Sequence, residues 1–348
     1  MPGSRRDFLR QSSLAALALP LIPVAGSVAP RTREIIRPPR LKPGDTVGLI
    51  APAGAIHTPH RIEGVREDLA ELGLNSRLAP NALAVRGYLA GTDQQRADDL
   101  HMMFADDSID AILTLRGGWG VARMLPLLDY ELIRRYPKIV MGFSDITSLL
   151  VALYVRSGLV TFHGPVGIST WNEFNNNYVR SVLFEAEKTL MQNPVPTEYP
   201  VDPSTRIRTI SRGTARGKLI GGNLTVLTGM IGSEYMPSDF SGHLLFLEDV
   251  REEAYRVDRM LTHLKLAGVL DAVEGVVWGH CSRCEPDRLD RSLSLNEVLD
   301  DHFQHLGKPV FYGSAIGHIR DKWTVPIGIE AEMNADAGTV RLLEPAVA

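Results

Sequence analysis

Ser144 is the residue whose placement, rather than type, suggests chemistry. In KIVMGFSDITSLL (138–150), Ile139, Val140 and Met141 form an apolar run suited to a buried parallel strand, and apolar residues recur at helical spacing from Asp145 to Tyr154. Only Gly142, Phe143 and Ser144 lie between the two patterns. A strand that turns into a helix over so few residues must bend sharply, and Gly142 is expected to supply the conformational freedom. Ser144 then sits at the carboxyl end of a strand and the amino end of a helix, where its own amide and that of Asp145 point outward. That is the arrangement of a nucleophile elbow. Serine also caps helices well, and the local sequence leaves that role open.

The pattern is not the G-x-S-x-G of α/β-hydrolases, because Ile146 stands where the second glycine belongs. A second feature supports acyl transfer. The apolar run at 111–115 leads into Arg116, Gly117, Gly118, Trp119 and Gly120, whose spacing fits neither G-x-G-x-x-G nor a P-loop. A glycine turn of this kind lets backbone N–H groups approach a substrate, and with the amide of Asp145 it would form an oxyanion hole. A plain tight turn is the alternative.

Serine needs a base, and the base needs an orienting acid. Of the ten histidines, His57, His60, His101, His302 and His305 lie in polar segments, and His243 and His263 read as structural. His163 in FHGP, His280 in WGH and His318 in GSAIGH remain, each after a strand or glycine turn. Glu248 is the preferred acid, since it ends the apolar strand LLFL and a buried carboxylate is stable only when paired. Capping or salt-bridging the following helix is its alternative role. Cys281 and Cys284 flank Ser-Arg beside His280, but no second Cys or His pair at zinc-finger spacing follows. Two cysteines make no disulfide framework, and the fold is expected to owe nothing to oxidation.

The elements that must position these residues follow from the wider pattern. The chain has 348 residues, 44% hydrophobic and 22% charged, with a net charge of -4, so it has no general attraction for nucleic acid or anionic membranes. Ser4 to Arg10 read SRRDFLR, a twin-arginine export signal, followed by an apolar run at 14–25 too short to span a bilayer. Residues 1–27 are accordingly expected to be a signal peptide that ends near Ala25, Gly26 and Ser27, and to direct the protein to the periplasm. Residues 28–43 are basic and proline-rich and read as a linker or arm.

From residue 44, strands at 46–51, 76–79, 111–115, 139–141 and 159–162 alternate with helices, which predicts a parallel sheet covered on both faces over 44–165. Residues 166–212 are polar, aromatic and proline-punctuated and read as an interdomain linker. A second domain over 213–348 is expected to hold strands at 217–220, 244–247, 275–279 and 309–312, helices at 254–266 and 295–303, and an antiparallel finish at 325–329 and 339–343.

These residues carry a resemblance. RGGWG, GFSDIT, GLVTFHGP, GKLIGGNLTVLTGMIGSEY, LLFLEDV and GHIRDKWTVPIG, in that order between about 44 and 343, resemble the LD-carboxypeptidase family of serine peptidases, which includes muramoyltetrapeptide carboxypeptidases and microcin C immunity hydrolases. The resemblance implies a flavodoxin-like N-terminal α/β domain with a parallel sheet, a C-terminal mixed α/β domain and an active site in the cleft between them. It also implies a catalytic Ser144, Glu248 and His318, with Gly117 and Asp145 supplying the oxyanion-hole amides. His163 and His280 then take structural or substrate-contacting roles. The implied mechanism needs no metal or cofactor; the family often forms dimers, so a homodimer is an option, and the sequence leaves the oligomeric state open.

The function expected on this basis is removal of a terminal D-alanine from a murein tetrapeptide. Two rivals stand beside it. A microcin-immunity type of hydrolase would act on an acyl-sulfamoyl adenylate or similar amide, with Trp171 as a candidate for stacking on the base. A periplasmic binding protein would use the same cleft without chemistry.

Overall fold

The computed structural model describes residues 34–195, 206–286 and 288–348, so the expected export signal lies outside the described residues. Two sheets organise them. In the first half of the chain, β1 (Thr46–Ile50), β2 (Asn75–Leu78), β3 (Ala111–Thr114), β4 (Ile139–Gly142) and β5 (Thr161–His163) run parallel to one another. Every residue of β3, β4 and β5 is buried, as continuous apolar strands covered on both faces should be. The connecting helices include Arg61–Glu71 and Asp93–Ala105, the latter opened by a capping box between Thr92 and Gln95.

The second sheet begins inside the stretch read as a linker. Residues 166–212 contain a helix at Glu173–Val179 and the strands β6 (Leu190–Met191) and β7 (Arg208–Ser211). Then follow β8 (Thr214–Asn223), β9 (His243–Val250), β10 (Gly275–Ser282) and β11 (Val310–Tyr312), with β13 (Glu330–Asn334) and β14 (Thr339–Leu342) after the intervening β12 (Val325–Ile327). The order is β6-β14-β13-β8-β9-β10-β11-β7, in which β8, β9, β10 and β11 are parallel neighbours and the flanks are antiparallel. Polar and proline-rich composition concealed β6 and β7 because short edge strands bury little and need few apolar residues.

One strand departs from expectation. β12 does not join the antiparallel finish of the second sheet; it pairs antiparallel with β5 and forms the edge of the first sheet, in the order β12-β5-β4-β3-β1-β2. Its apolar sequence suited either sheet, and only the tertiary path of the preceding loop decides between them. The two halves also meet at the end of β8, where a Cβ on Gly222 would lie 2.4 Å from Thr147 Oγ1, and the Asn223 amide donates to that hydroxyl at 3.0 Å.

The described part of the expected arm, 34–43, packs on the body. Ile36 forms a parallel bridge with Leu159, Leu41 is buried, and the Arg40 amide donates to the Ala348 carbonyl at 3.1 Å.

Candidate active site

Ser144 follows β4 and opens a single 3₁₀ turn, Ser144–Ile146, that continues into the helix Thr147–Ser157. The bend strains the serine itself. Its φ is 66°, in the left-handed region, whereas Gly142 is absent from the positive-φ residues. Gly142 serves close packing instead, since a Cβ there would lie 2.2 Å from Thr114 Oγ1. The expectation that Gly142 supplies the conformational freedom is therefore corrected. Ser144 Oγ makes no cap bond to this turn; it lies 3.0 Å from His318 Nε2.

The histidine arrives from the second half, on the loop after β11. Its Nδ1 lies 2.8 Å from Glu248 Oε2, which gives a continuous Glu248–His318–Ser144 chain of hydrogen bonds. Gly317, at φ 130°, allows the approach, because a Cβ there would stand 3.2 Å from Glu248 Oε2. The His318 ring also packs edge-on against Phe143, at 4.9 Å between centroids. Its side chain keeps 22% of its surface exposed, whereas Glu248 keeps none.

Glu248 lies near the end of β9, a strand buried from Leu244 to Asp249. Burial pushes its carboxyl up, but the bond to His318, the neighbouring histidines and the Asn223 amide outweigh that and hold it below the ordinary glutamate value. Glu253, not Glu248, stands at the start of the following helix. Its neighbour Asp249 goes the other way, raised to about 6 by burial and by the charge of Glu248.

Asn223, which sequence reasoning missed, spends its whole side chain here. Its Nδ2 donates to Glu248 Oε1 at 3.1 Å and to Asp249 Oδ1 at 3.0 Å, while its Oδ1 accepts from Val226 N–H and caps a short helix. An asparagine after two glycines is itself a helix-start signal, so a cap could have been read from the sequence, but the carboxylate pairing could not.

The glycine turn after β3 closes the site from the other side. A Cβ on Gly117 would fall 2.7 Å from Ser144 Cβ and 2.9 Å from its Oγ, so only glycine brings the chain this close. The amide of Asp145 follows Ser144 in the first turn, where N–H groups have no acceptor within the helix. The Asp145 side chain turns away and is buried, accepting from Val121 N–H at 2.9 Å. Its carboxyl is raised by burial.

His163 and His280 are not brought into hydrogen-bonding contact with Ser144. His163 is buried between Phe143 and Phe246, with neither ring nitrogen bonded, and burial pulls it down to about 4. His280 is buried beside Tyr312. Lys322 is also buried, its Nζ donating to the Ile319 carbonyl at 2.6 Å and lying 5.2 Å from the centre of the Phe143 ring. Cys281 and Cys284 form a disulfide across 5.5 Å between their Cα atoms, so the expectation that the fold owes nothing to oxidation is corrected. Among the described residues no cluster of His, Cys, Asp and Glu is arranged to hold a metal ion.

Models of the LD-carboxypeptidase N-terminal and C-terminal domains match residues 47–164 and 216–333. The chain belongs to the LD-carboxypeptidase family. It is a serine carboxypeptidase by that membership, and its relatives agree. It is 40% identical over 299 residues to a probable murein peptide carboxypeptidase of Bacillus subtilis, covering 86% of this chain and 91% of the relative. Its fold superposes with a TM-score of 0.81 on a structure of MccF in complex with glutamyl sulfamoyl guanosine, at 26% identity, covering 90% of this chain and 99% of that one. A muramoyltetrapeptide carboxypeptidase from Oxalobacter formigenes gives a TM-score of 0.72 at 28% identity, covering 85% and 97%.

Proposed function

We propose that this LD-carboxypeptidase releases the terminal D-alanine of murein tetrapeptides through an acyl-enzyme on Ser144. The observation that carries the reading is the Glu248–His318–Ser144 chain, with bonds of 2.8 and 3.0 Å. His318 Nε2 takes the Ser144 proton as Oγ attacks the carbonyl carbon of the L-configured centre preceding D-alanine. The developing oxyanion faces the amides of Gly117 and Asp145. Collapse breaks the amide bond, and the D-alanine nitrogen leaves with the proton from His318. Water then attacks the ester and gives its proton to His318, which returns it to Ser144 Oγ as the ester bond breaks and the tripeptide acid leaves. Glu248 holds the Nδ1 proton and stabilises the imidazolium without itself being protonated.

Mass spectrometry of a digested murein tetrapeptide tests this. The expected products are the tripeptide and D-alanine, with neither formed by Ser144→Ala. A serine-directed fluorophosphonate should label Ser144, which a mere binding protein would not allow.

The likeness to a structure holding glutamyl sulfamoyl guanosine supports a second reading, hydrolysis of an acyl-sulfamoyl nucleoside at the same serine. Trp171 does not serve as its stacking residue, since it is buried and its indole donates to the Gly167 carbonyl. The exposed aromatic on the glycine turn is Trp119. Cleavage of such a nucleoside with an untouched tetrapeptide would favour this reading over the first.

We further infer export by the twin-arginine route, supported by Arg5 and Arg6 ahead of the short apolar run, and hence action on the wall or its fragments in the periplasm. Replacing both arginines with lysine should strand the precursor in the cytoplasm, because the receptor reads guanidinium groups rather than charge. Unchanged periplasmic delivery would overturn the assignment.

A further inference from the structure

A carboxypeptidase must distinguish a chain end from a chain interior, and the distinguishing group is the free carboxylate of the departing residue. Recognition of that anion in a partly desolvated cleft calls for a cation held close to the nucleophile with hydrogen bonds to spare. We propose that the Arg116 guanidinium is this carboxylate subsite, an inference that rests on the carboxypeptidase reading above.

Four cations stand within four residues of Gly117, Glu248 or His318 in the chain, and three of them suit the role poorly. Lys322 is buried and committed to a backbone carbonyl and the Phe143 face. Arg251 and Arg320 are exposed, and no hydrogen bond fixes either guanidinium among the described residues. A cation free to sample many rotamers loses that entropy on binding.

Arg116 is different in each respect. It is half-buried, directly before Gly117, the residue that nearly touches Ser144. Its Nε donates to the Gly117 carbonyl at 3.2 Å and its Nη1 to the Ala55 carbonyl at 3.0 Å, so the plane of the group is set before substrate binds. Those acceptors are neutral. No carboxylate pairs with the group among the described residues, and Nη2 has no acceptor there. The guanidinium lies over Gly54, where a Cβ would come within 3.2 Å of Nε and 3.4 Å of the central carbon. Gly54 thus keeps open the space that seats the guanidinium, and Gly117 keeps open the space against Ser144. A preset, unpaired guanidinium one residue from Gly117 suits an anion, and the anion that every substrate of a carboxypeptidase carries on its departing residue is a carboxylate.

The test compares a tetrapeptide ending in D-alanine with the same peptide ending in D-alaninamide. The wild-type enzyme should prefer the acid, and Arg116→Ala should cut that preference in kcat/KM by about 10- to 100-fold, the range of one charge-assisted hydrogen bond. The loss should fall on the KM for the acid, leave the amide nearly unchanged and be partly restored by Arg116→Lys. Equal losses on both peptides, or an acid preference that survives Arg116→Ala, would overturn the proposal. Binding of the two peptides to Ser144→Ala, with and without Arg116→Ala, keeps the subsite separate from the reaction. If no D-alanine is released by the wild type, the functional reading fails, and the subsite stands or falls by whether acid-selective binding requires Arg116.

Discussion

Asn223 donates to Glu248 Oε1, the carboxylate oxygen that His318 leaves unused. Glu248 is therefore held from both sides, by an imidazole on one oxygen and an amide on the other. Asn223→Ala should lift the depressed Glu248 carboxyl toward its ordinary value. A carboxylate depressed on folding adds stability above its unfolded pKa, and that stability is lost as pH falls through the folded value. The variant should therefore be less stable near neutral pH and lose less of its stability as the pH falls from the unfolded to the folded value of this carboxyl, measured by denaturant unfolding at several pH values. An unchanged acid limb would show that Asn223 matters only as a helix cap.

Glu248 and His318 should behave as one unit. Glu248→Gln keeps the shape but favours the wrong imidazole tautomer, and the rate of D-alanine release should fall by about 10⁴-fold, as in comparable triads. Adding Glu248→Gln to His318→Ala should cost almost nothing more. Losses that multiply independently, or a larger loss from His280→Ala than from His318→Ala, would break the triad assignment.

The left-handed φ of Ser144 separates its chemical role from its structural cost. Ser144→Ala and Ser144→Gly should both be inactive, but glycine relieves the backbone and should be the more stable by about 1 kcal/mol. Thermal unfolding of the pair measures this. A more stable alanine variant would mean that the conformation carries no strain.

His163 is a buried imidazole without a hydrogen-bond partner, pulled down to about 4. Between pH 6.5 and 4 the unfolded chain takes up a proton that the folded chain refuses, so this group makes stability fall as pH falls across that window. His163→Leu should flatten the slope in denaturant titrations at several pH values and leave kcat within a few-fold. Loss of turnover with stability intact would return His163 to the mechanism.

Lys322 gives the same effect at higher pH. Burial pulls it down to about 8, with Asp321 and Glu248 opposing the shift. Above pH 8 the folded chain releases this proton while the unfolded lysine keeps it to about 10.4, so stability from this group should rise with pH. Lys322→Met should remove the rise, measured again by denaturant unfolding.

Much of this was legible in the sequence, because strand ends and glycine turns carry their own signatures. The alternating elements of the first half, the elbow at Ser144 and the turn at Gly117 all follow from local pattern. His318 could be singled out from His163 and His280 only by family resemblance, since all three follow strands or glycines, and a choice among them needs a distance. Asn223, Arg116 and the placement of β12 were hidden for the same reason: each is defined by what lies across the fold from it. The Cys281–Cys284 pairing escaped because a count of two cysteines argues against a framework but not against a single local link.

The seating of β12 in the first sheet couples two tasks. His318 precedes that strand by seven residues, so the segment that closes the sheet against β5 is the same one that brings His318 to Ser144. The first half alone would hold Ser144 without His318 and a first sheet whose β5 edge is uncovered. A chain cut anywhere before residue 318 would therefore lack both the β12 edge strand and the Glu248–His318–Ser144 hydrogen-bond chain.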